Sequence, residues 1–218
     1  GKAFEPGDPR KDATLLYFRR SIDEPITEAN TNKPYGESPV STAMGAYFNK
    51  KAYTEPSLRK KYTKGGFWVN IRLIRYTDVL LMAAEAANEK NIPGEAVDYL
   101  EMVRARARGT NTNILPKVTT TDQGELREAI LHERAIEFGY EEVRYFDLTR
   151  WKRDDLFKTP IERLFITKDS QGVFTYTKDR KVYNERGWIK NWSDRYFLIP
   201  IPLEEINKKY GLVQNPGW

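Results

Sequence analysis

The sequence contains no cysteine and a single histidine, and both facts limit the catalytic and metal-binding sites that the protein can form. Without thiols there is no disulfide, no thiolate zinc site and no cysteine nucleophile. A Ser-His-Asp arrangement would need His132, but no GxSxG motif accompanies that residue, and no HExxH motif offers a metal site. The sequence therefore predicts no catalytic residue and no cofactor. A structural calcium site stays open, because loop oxygens can form one without a sharp motif.

Long hydrophobic runs and one-sided charge are missing too. No stretch of 18 or more apolar residues is present, so no transmembrane helix is predicted. The formal net charge is +5, from 36 Lys and Arg against 31 Asp and Glu. The two signs alternate along most of the chain, and basic runs such as residues 59–61 are short. This pattern indicates a solvated mixed-charge surface and argues against a nucleic-acid partner.

Apolar residues at helical spacing predict a hairpin of two helices over residues 71–109. The first helix covers about 71–90 and the second about 95–108, with a break at 91–94 and Gly109 as the stop. The two apolar stripes are Tyr76, Val79, Leu80, Ala83 and Ala87, then Ala96, Leu100, Val103 and Ala107. Such a pair is typical of tetratricopeptide-like repeats. One pair cannot bury both of its faces, so neighbouring helices are expected.

Further helices are predicted at about 123–139, capped by Thr121 or Asp122, and at about 143–151. A last short helix follows Pro202. Residues 1–66 and 156–196 are irregular or strand-like. The predicted fold class is mainly α: a helical repeat hairpin plus packed helices, with long irregular loops and a few short strands.

Glu133 and Glu137 fall on one side of the third predicted helix, in line with Leu126 and Ile130. Buried carboxylates need cations, and the candidates nearest in sequence are Arg134, Arg144 and Arg150. A catalytic carboxylate pair, as in glycosidases, is the alternative. Arginines lower a carboxylate pKa, whereas a general acid needs a raised one, so a structural ion-pair network is the favoured interpretation.

These residues belong to a wider pattern. Ile130-xx-Glu133-Arg134-xx-Glu137 and Arg144-xx-Asp147-Leu148-x-Arg150-Trp151 resemble the signature of the SusD/RagB family. Three more segments are similar to sequences of that family: Asp8-Pro9-Arg10, the predicted helix from Arg75 to Asn88, and the C-terminal segment from Pro200 to Trp218. The residues taken as structural signature are Glu133, Arg134, Glu137, Arg144, Asp147, Arg150 and Trp151. Thr77 and Trp218 depart slightly from the family pattern, which usually has Ala and Tyr at these two positions.

The resemblance implies a surface protein of the bacterial outer membrane that binds glycans without chemistry. It implies a SusC-like TonB-dependent transporter as partner, to which the nutrient is delivered. Family proteins are about twice this long. The resemblance therefore identifies residues 1–218 as a C-terminal region, and implies that a signal peptide, a lipid anchor and an N-terminal half lie outside it. Contact with the membrane is expected only through that anchor.

Within this region four segments are distinguished. Residues 1–70 are loop-rich and expected to face the ligand, 71–109 form the hairpin, 121–152 carry the signature helices, and 156–218 are a loop-rich closing segment. Aromatic rings stack on sugar faces and amides bind hydroxyls. The predicted ligand residues are Trp68, Phe67, Tyr47, Tyr53, Asn49 and Asn70. Ordinary packing is the alternative for each ring. For the protein, the alternatives are a tetratricopeptide-like scaffold for other proteins or a binder of a non-glycan nutrient.

Overall fold

The computed structural model describes residues 3–17, 42–44, 47–52, 70, 72–159, 163–168, 174–179, 192–208 and 210–218. The chain divides into two compact units. One, here called the helical unit, is built within residues 1–18 and 47–144. The other, here called the C-terminal unit, is built within 19–46 and 145–218.

The helical unit centres on three long helices. Helix α2 (Tyr76–Glu89) and helix α3 (Pro93–Arg108) form the predicted hairpin, and helix α4 (Gln123–Glu137) packs across both. Proline opens α3, where its missing N–H costs nothing. The Asp122 side chain caps α4 by accepting from the Glu125 N–H at 2.8 Å. The caps and breakers in the sequence therefore located α3 and α4 to within two residues, whereas α2 begins five residues after the predicted start.

Between the three helices lies an apolar core. On α3, Ala96, Leu100 and Val103 are buried as the spacing predicts. On α2 the predicted stripe is partly wrong, because Tyr76 and Val79 are exposed. Leu80 and Ala87 of that stripe are buried and Ala83 is half-buried, and the other apolar residues of the buried face are Leu81 and Ala84. Apolar residues surround most of this helix, so periodicity alone could not select the arc that faces the core.

The amino-terminal segment completes the helical unit. Helix α1 (Arg10–Thr14) leads directly into strand β1 (Leu15–Tyr17), in the part of the chain that the sequence indicates to be irregular or strand-like. Strand β1 pairs antiparallel with strand β3 (Tyr47–Asn49), so that Leu15 lies opposite Asn49 and Tyr17 opposite Tyr47.

The C-terminal unit mixes short helices with a small sheet. Strands β4 (Arg163–Lys168) and β5 (Phe174–Asp179) pair antiparallel, and strand β2 (Thr42–Met44) adds to the other edge of β4. Helix α5 (Arg144–Arg150) begins at the boundary of the units, and α6 (Asp154–Phe157) follows it. A 3₁₀ turn (Asp194–Phe197) and the predicted last helix, α7 (Leu203–Asn207), lie near the end.

Seven helices and five short strands in the described ranges confirm the predicted mainly helical fold class. None of the helices described combines the length and apolarity needed to cross a bilayer.

Candidate functional site

The predicted ligand residues are only partly within the described ranges. Tyr53, Phe67 and Trp68 lie outside them. Tyr47 and Asn49 are both on β3, two positions apart. The Asn49 carboxamide oxygen accepts from the Ala52 N–H at 3.3 Å, and Asn70 is exposed. A sugar-binding role for these six residues stays a prediction.

The best-defined polar arrangement lies on α4 and is built around Glu133. Its side chain is 1% exposed and accepts from two guanidinium groups, those of Arg10 and Arg104. The Arg104 Nη1–Glu133 Oε2 distance is 2.9 Å. Each arginine also holds a second carboxylate: Arg10 forms two parallel bonds to Asp8, and Arg104 two to Glu5. The buried carboxylate therefore lies between two forked ion pairs, the strongest geometry for such contacts.

One turn further along α4, Glu137 repeats this pattern. Its side chain is 3% exposed and accepts from Arg75 at 2.7 Å and from Arg106 at 2.5 Å. The Arg10 Nη1 atom reaches it at 3.2 Å, which links Glu137 to the Glu133 cluster. Arg75 continues to Glu141 at 2.8 Å. The Glu133–Glu137 network comprises Glu5, Asp8, Arg10, Lys51, Arg75, Arg104, Arg106, Glu133, Glu137 and Glu141.

The arginines decide the protonation state of Glu137. Burial by itself raises the pKa of this carboxyl, but the hydrogen bonds and charges of Arg75 and Arg106 outweigh burial and leave the pKa below its ordinary value. The pKa of Glu141 is lowered in the same way, by Arg75 and Lys51 against burial. A carboxyl held ionised cannot serve as a general acid at neutral pH. The geometry of Glu137 therefore fits a structural role, in which buried ion pairs hold α4 to the residues that contact it.

The cations that contact these carboxylates are not the ones expected from proximity in sequence. The Arg134 guanidinium contacts Asp78 at 2.8 Å, Arg144 donates to the Leu131 carbonyl at 3.5 Å, and Arg150 contacts Asp147 at 3.1 Å. Arg134 follows Glu133 directly on α4, so its side chain points about 100° away around the helix. The actual partners, Arg10, Arg75, Arg104 and Arg106, come from distant segments. Arg10 and Arg75 stand in the family-like segments, which is the one signal that could have indicated them.

The remaining signature residues lie in or next to α5. Asp147 is 3% exposed and is contacted by Arg150, whose guanidinium also stacks over the Trp151 ring at 5.5 Å. No group of three or more potential metal ligands occurs in the ranges that the structure describes.

Aromatic rings dominate the C-terminal unit. Phe157 and Trp192 stack at 4.2 Å with an interplanar angle of 9°, and Phe197 meets both edge-on. Arg195 lies over the Trp218 ring at 4.7 Å, and the Trp218 Nε1–H donates to the Arg195 carbonyl at 3.1 Å. These contacts fasten the last residue to the 3₁₀ turn.

Residues 2–218 match the sequence pattern of the SusD family, and the chain belongs to that family. Two similar proteins from Formosa agariphila show how far the likeness extends. SusD-like protein P25 is 44% identical over 136 residues, 62% of this chain and 21% of that protein. SusD-like protein P2 is 34% identical over 213 residues, 92% of this chain and 37% of that protein.

Solved structures agree on the fold. A SusD-like protein from Bacteroides fragilis superposes with a TM-score of 0.64 at 26% identity, covering 97% of this chain and 39% of that one. A second B. fragilis protein is described as a SusD-like carbohydrate binding protein. It superposes with a TM-score of 0.51 at 22% identity, and the match covers 92% of this chain and 40% of that protein. The chain thus spans between a fifth and two fifths of the length of these relatives.

Proposed function

We propose that this protein binds glycans at the bacterial cell surface and delivers them to a SusC-like TonB-dependent transporter of the outer membrane. The observation that carries the proposal is the match to the SusD family along residues 2–218. The B. fragilis relative described as a SusD-like carbohydrate binding protein supports the ligand class.

The described residues are compatible with capture of a sugar by loops held on a rigid base. Strand β3 is paired with β1, and β1 follows α1, whose Arg10 is anchored in the Glu133–Glu137 network. Tyr47 and Asn49 therefore occupy a strand whose backbone is paired with β1. An aromatic ring can stack on the face of a sugar, and an amide can hydrogen-bond its hydroxyls, which is why these two residue types are proposed as ligand contacts. Trp68, Phe67, Tyr53 and Asn70 are the further residues proposed to contact the ligand.

Binding without catalysis fits the same residues. The two carboxylates that resemble a glycosidase pair in sequence are buried, and the lowered pKa of Glu137 keeps it from donating a proton at neutral pH. We therefore propose that the glycan leaves the protein unchanged. A reducing-sugar assay on the bound polysaccharide should show no release.

The proposal is tested by affinity electrophoresis and calorimetry against a panel of polysaccharides. One glycan should retard the protein, and Trp68→Ala should abolish the retardation. Tyr210→Ala is the matched control, since it removes a ring that is 76% exposed outside the predicted loops. No retardation by any glycan would sink the proposed ligand class and favour a scaffold or a non-glycan nutrient.

Location and partner need a separate test in the native bacterium. We propose a lipid-anchored protein on the outer face of the outer membrane, expected from the family. Proteinase K added to intact cells should degrade it, and a TonB-dependent transporter should co-purify from detergent extracts. A protein that is protected from the protease in intact cells would contradict this location.

A further inference from the structure

Two cations from different segments meet at the carboxyl end of α4. Lys51, which follows β3, donates from Nζ to the Glu137 carbonyl at 2.7 Å and to the Glu141 carboxylate at 2.5 Å. Arg75, directly before α2, donates to the same carbonyl at 2.9 Å and to both carboxylate oxygens of Glu141, at 2.8 and 3.0 Å. Carbonyls at a helix end carry partial negative charge, so cations are favourable there. These four residues are here called the Glu141 clip.

The backbone on both sides of Glu141 is strained. Tyr140 and Glu142 have φ angles of +63° and +64°, in the left-handed region that residues other than glycine seldom adopt. Between them, the Glu141 N–H donates to the Phe138 carbonyl at 2.8 Å and closes a turn directly after α4. Such conformations persist only where surrounding contacts hold them. The ion pairs of the clip supply such contacts to the Glu141 side chain, which is 12% exposed.

Burial strengthens the link between Lys51 and Glu141. The Lys51 side chain is 18% exposed, and burial lowers its pKa below the ordinary value even though the hydrogen bond and charge of Glu141 raise it. A desolvated charge that loses its partner is destabilising. Lys50 adds a second attachment, since its Nζ donates to the Asp12 carbonyl at 2.8 Å and its N–H to the Thr14 carbonyl at 2.9 Å. The end of β3 is therefore fastened to both α1 and α4.

The clip stands on either side of the residues proposed to bind the glycan. Tyr53, Phe67, Trp68 and Asn70 lie between Lys51 and Arg75 in the sequence, and Tyr47 and Asn49 come shortly before Lys51. Holding two points of a chain together in advance removes part of the entropy that ligand binding otherwise costs. On the basis of the proposed function, we propose that Glu141 is a positioning residue for glycan binding, which joins Lys51 to Arg75 and so fixes the ends of the stretch that carries these ligand residues.

Hydrogen exchange followed by mass spectrometry on the complete gene product tests the clip without any ligand. Glu141→Gln nearly keeps the shape of the side chain but removes the charge that pairs with both cations. Peptides covering 47–52 and 75–79 should then exchange about tenfold faster, because local opening at both ends of the stretch becomes easier. Unchanged exchange in either peptide would overturn the proposal.

Glu101→Gln is the matched control. Glu101 also accepts two bonds from one arginine, Arg108, and its side chain is 20% exposed, but both members of this pair belong to α3. This change should leave the exchange of the two peptides as in the wild type. Faster exchange of these peptides in both variants would indicate a general loosening of the helical unit and would also overturn the proposal.

Calorimetry measures the consequence for binding, with the polysaccharide that retards the wild-type protein as the probe. Glu141→Gln should weaken the affinity about tenfold, because the apparent dissociation constant rises as the binding-competent fraction of the protein falls. Glu101→Gln should leave it unchanged. Equal affinities of the wild type and Glu141→Gln would overturn the positioning role alone. A wild type that binds no polysaccharide of the panel would instead sink the proposed function and this role together.

Lys51→Gln covers the case in which Glu141→Gln does not fold. It removes one cation of the clip and leaves Arg75 bound to Glu137 and Glu141. Faster exchange of peptide 47–52 and a weaker affinity are expected, both smaller than for Glu141→Gln. Exchange and affinity equal to those of the wild type would contradict the proposal.

Discussion

In the helical unit, Glu133 and Glu137 are buried among arginines, whereas the C-terminal unit gathers Phe157, Trp192 and Trp218 into ring contacts. Buried charge pairs depend on their geometry, and loss of one partner is strongly destabilising because it leaves a buried charge without a counter-charge. Ring contacts are broad and tolerate a change of shape at smaller cost. Single substitutions of the buried charged residues in the helical unit should therefore lower stability more than substitutions of the rings in the C-terminal unit.

The largest expected effect is the loss of Arg10, which contacts Asp8, Glu133 and Glu137 together. Arg10→Met should lower the free energy of unfolding by about 3–5 kcal/mol, because it removes the cation that pairs with the buried Asp8 and one of the two that contact the buried Glu133. Urea denaturation followed by far-UV circular dichroism measures the loss. The control is Arg127→Met, which breaks a more exposed pair with Glu89 and should cost at most about 1 kcal/mol. Equal losses would erase the distinction between buried and exposed pairs.

Of the two glycines that the structure describes in the C-terminal unit, Gly217 has the more crowded surroundings. Its φ is +86°, and an added Cβ would lie 2.9 Å from the Cβ of Arg195. Gly211 has a φ of +74° with open space around it. Gly211→Ala should cost about 1–2 kcal/mol from φ alone, and Gly217→Ala about 1 kcal/mol more from the collision. Thermal unfolding followed by near-UV circular dichroism compares the pair; identical melting temperatures would show that Arg195 moves aside freely.

A smaller effect is expected from the stacked rings. Phe157→Leu keeps most apolar volume but removes the stack on Trp192, so it should cost about 1 kcal/mol. Tyr210→Leu, at an exposed ring, should cost less than half of that. Tryptophan fluorescence during urea denaturation reports both variants. A loss of 3 kcal/mol or more for Phe157→Leu, roughly that of a core phenylalanine truncation, would contradict the tolerance assigned to ring contacts.

The smallest effect is expected from pH in the neutral range. The folded pKa of Glu137 is depressed, so its stabilising contribution is fully present above the unfolded pKa of about 4.3 and is lost as the pH falls through the folded pKa. The stability difference between wild type and Glu137→Gln should be constant from pH 6 to 8 and shrink in acid. A difference that changes between pH 6 and 8 would place the folded pKa above its ordinary value.

The helices were predictable because their signals are local. Pro93, Gly109 and Asp122 mark boundaries that the structure reproduces within a few residues. The partners of Glu133 and Glu137 were not predictable, since Arg10, Arg75 and Arg104 stand 29 to 127 positions away and no periodicity reports such distances. The prediction of which face of α2 is buried was partly wrong for a different reason: the helix has apolar residues on both sides. Tyr76 and Val79 therefore matched the pattern of a core face while lying outside the core.

The sequence separation within the network has a kinetic consequence. Arg10 and Glu133 are 123 residues apart, and Arg75 and Glu137 are 62 apart. Contacts that close such long loops are entropically costly, so they should form after the local α2–α3 hairpin. Interactions absent from the folding transition state act on the unfolding rate. The network is thus expected to lengthen the lifetime of the native state while leaving the rate of folding nearly unchanged.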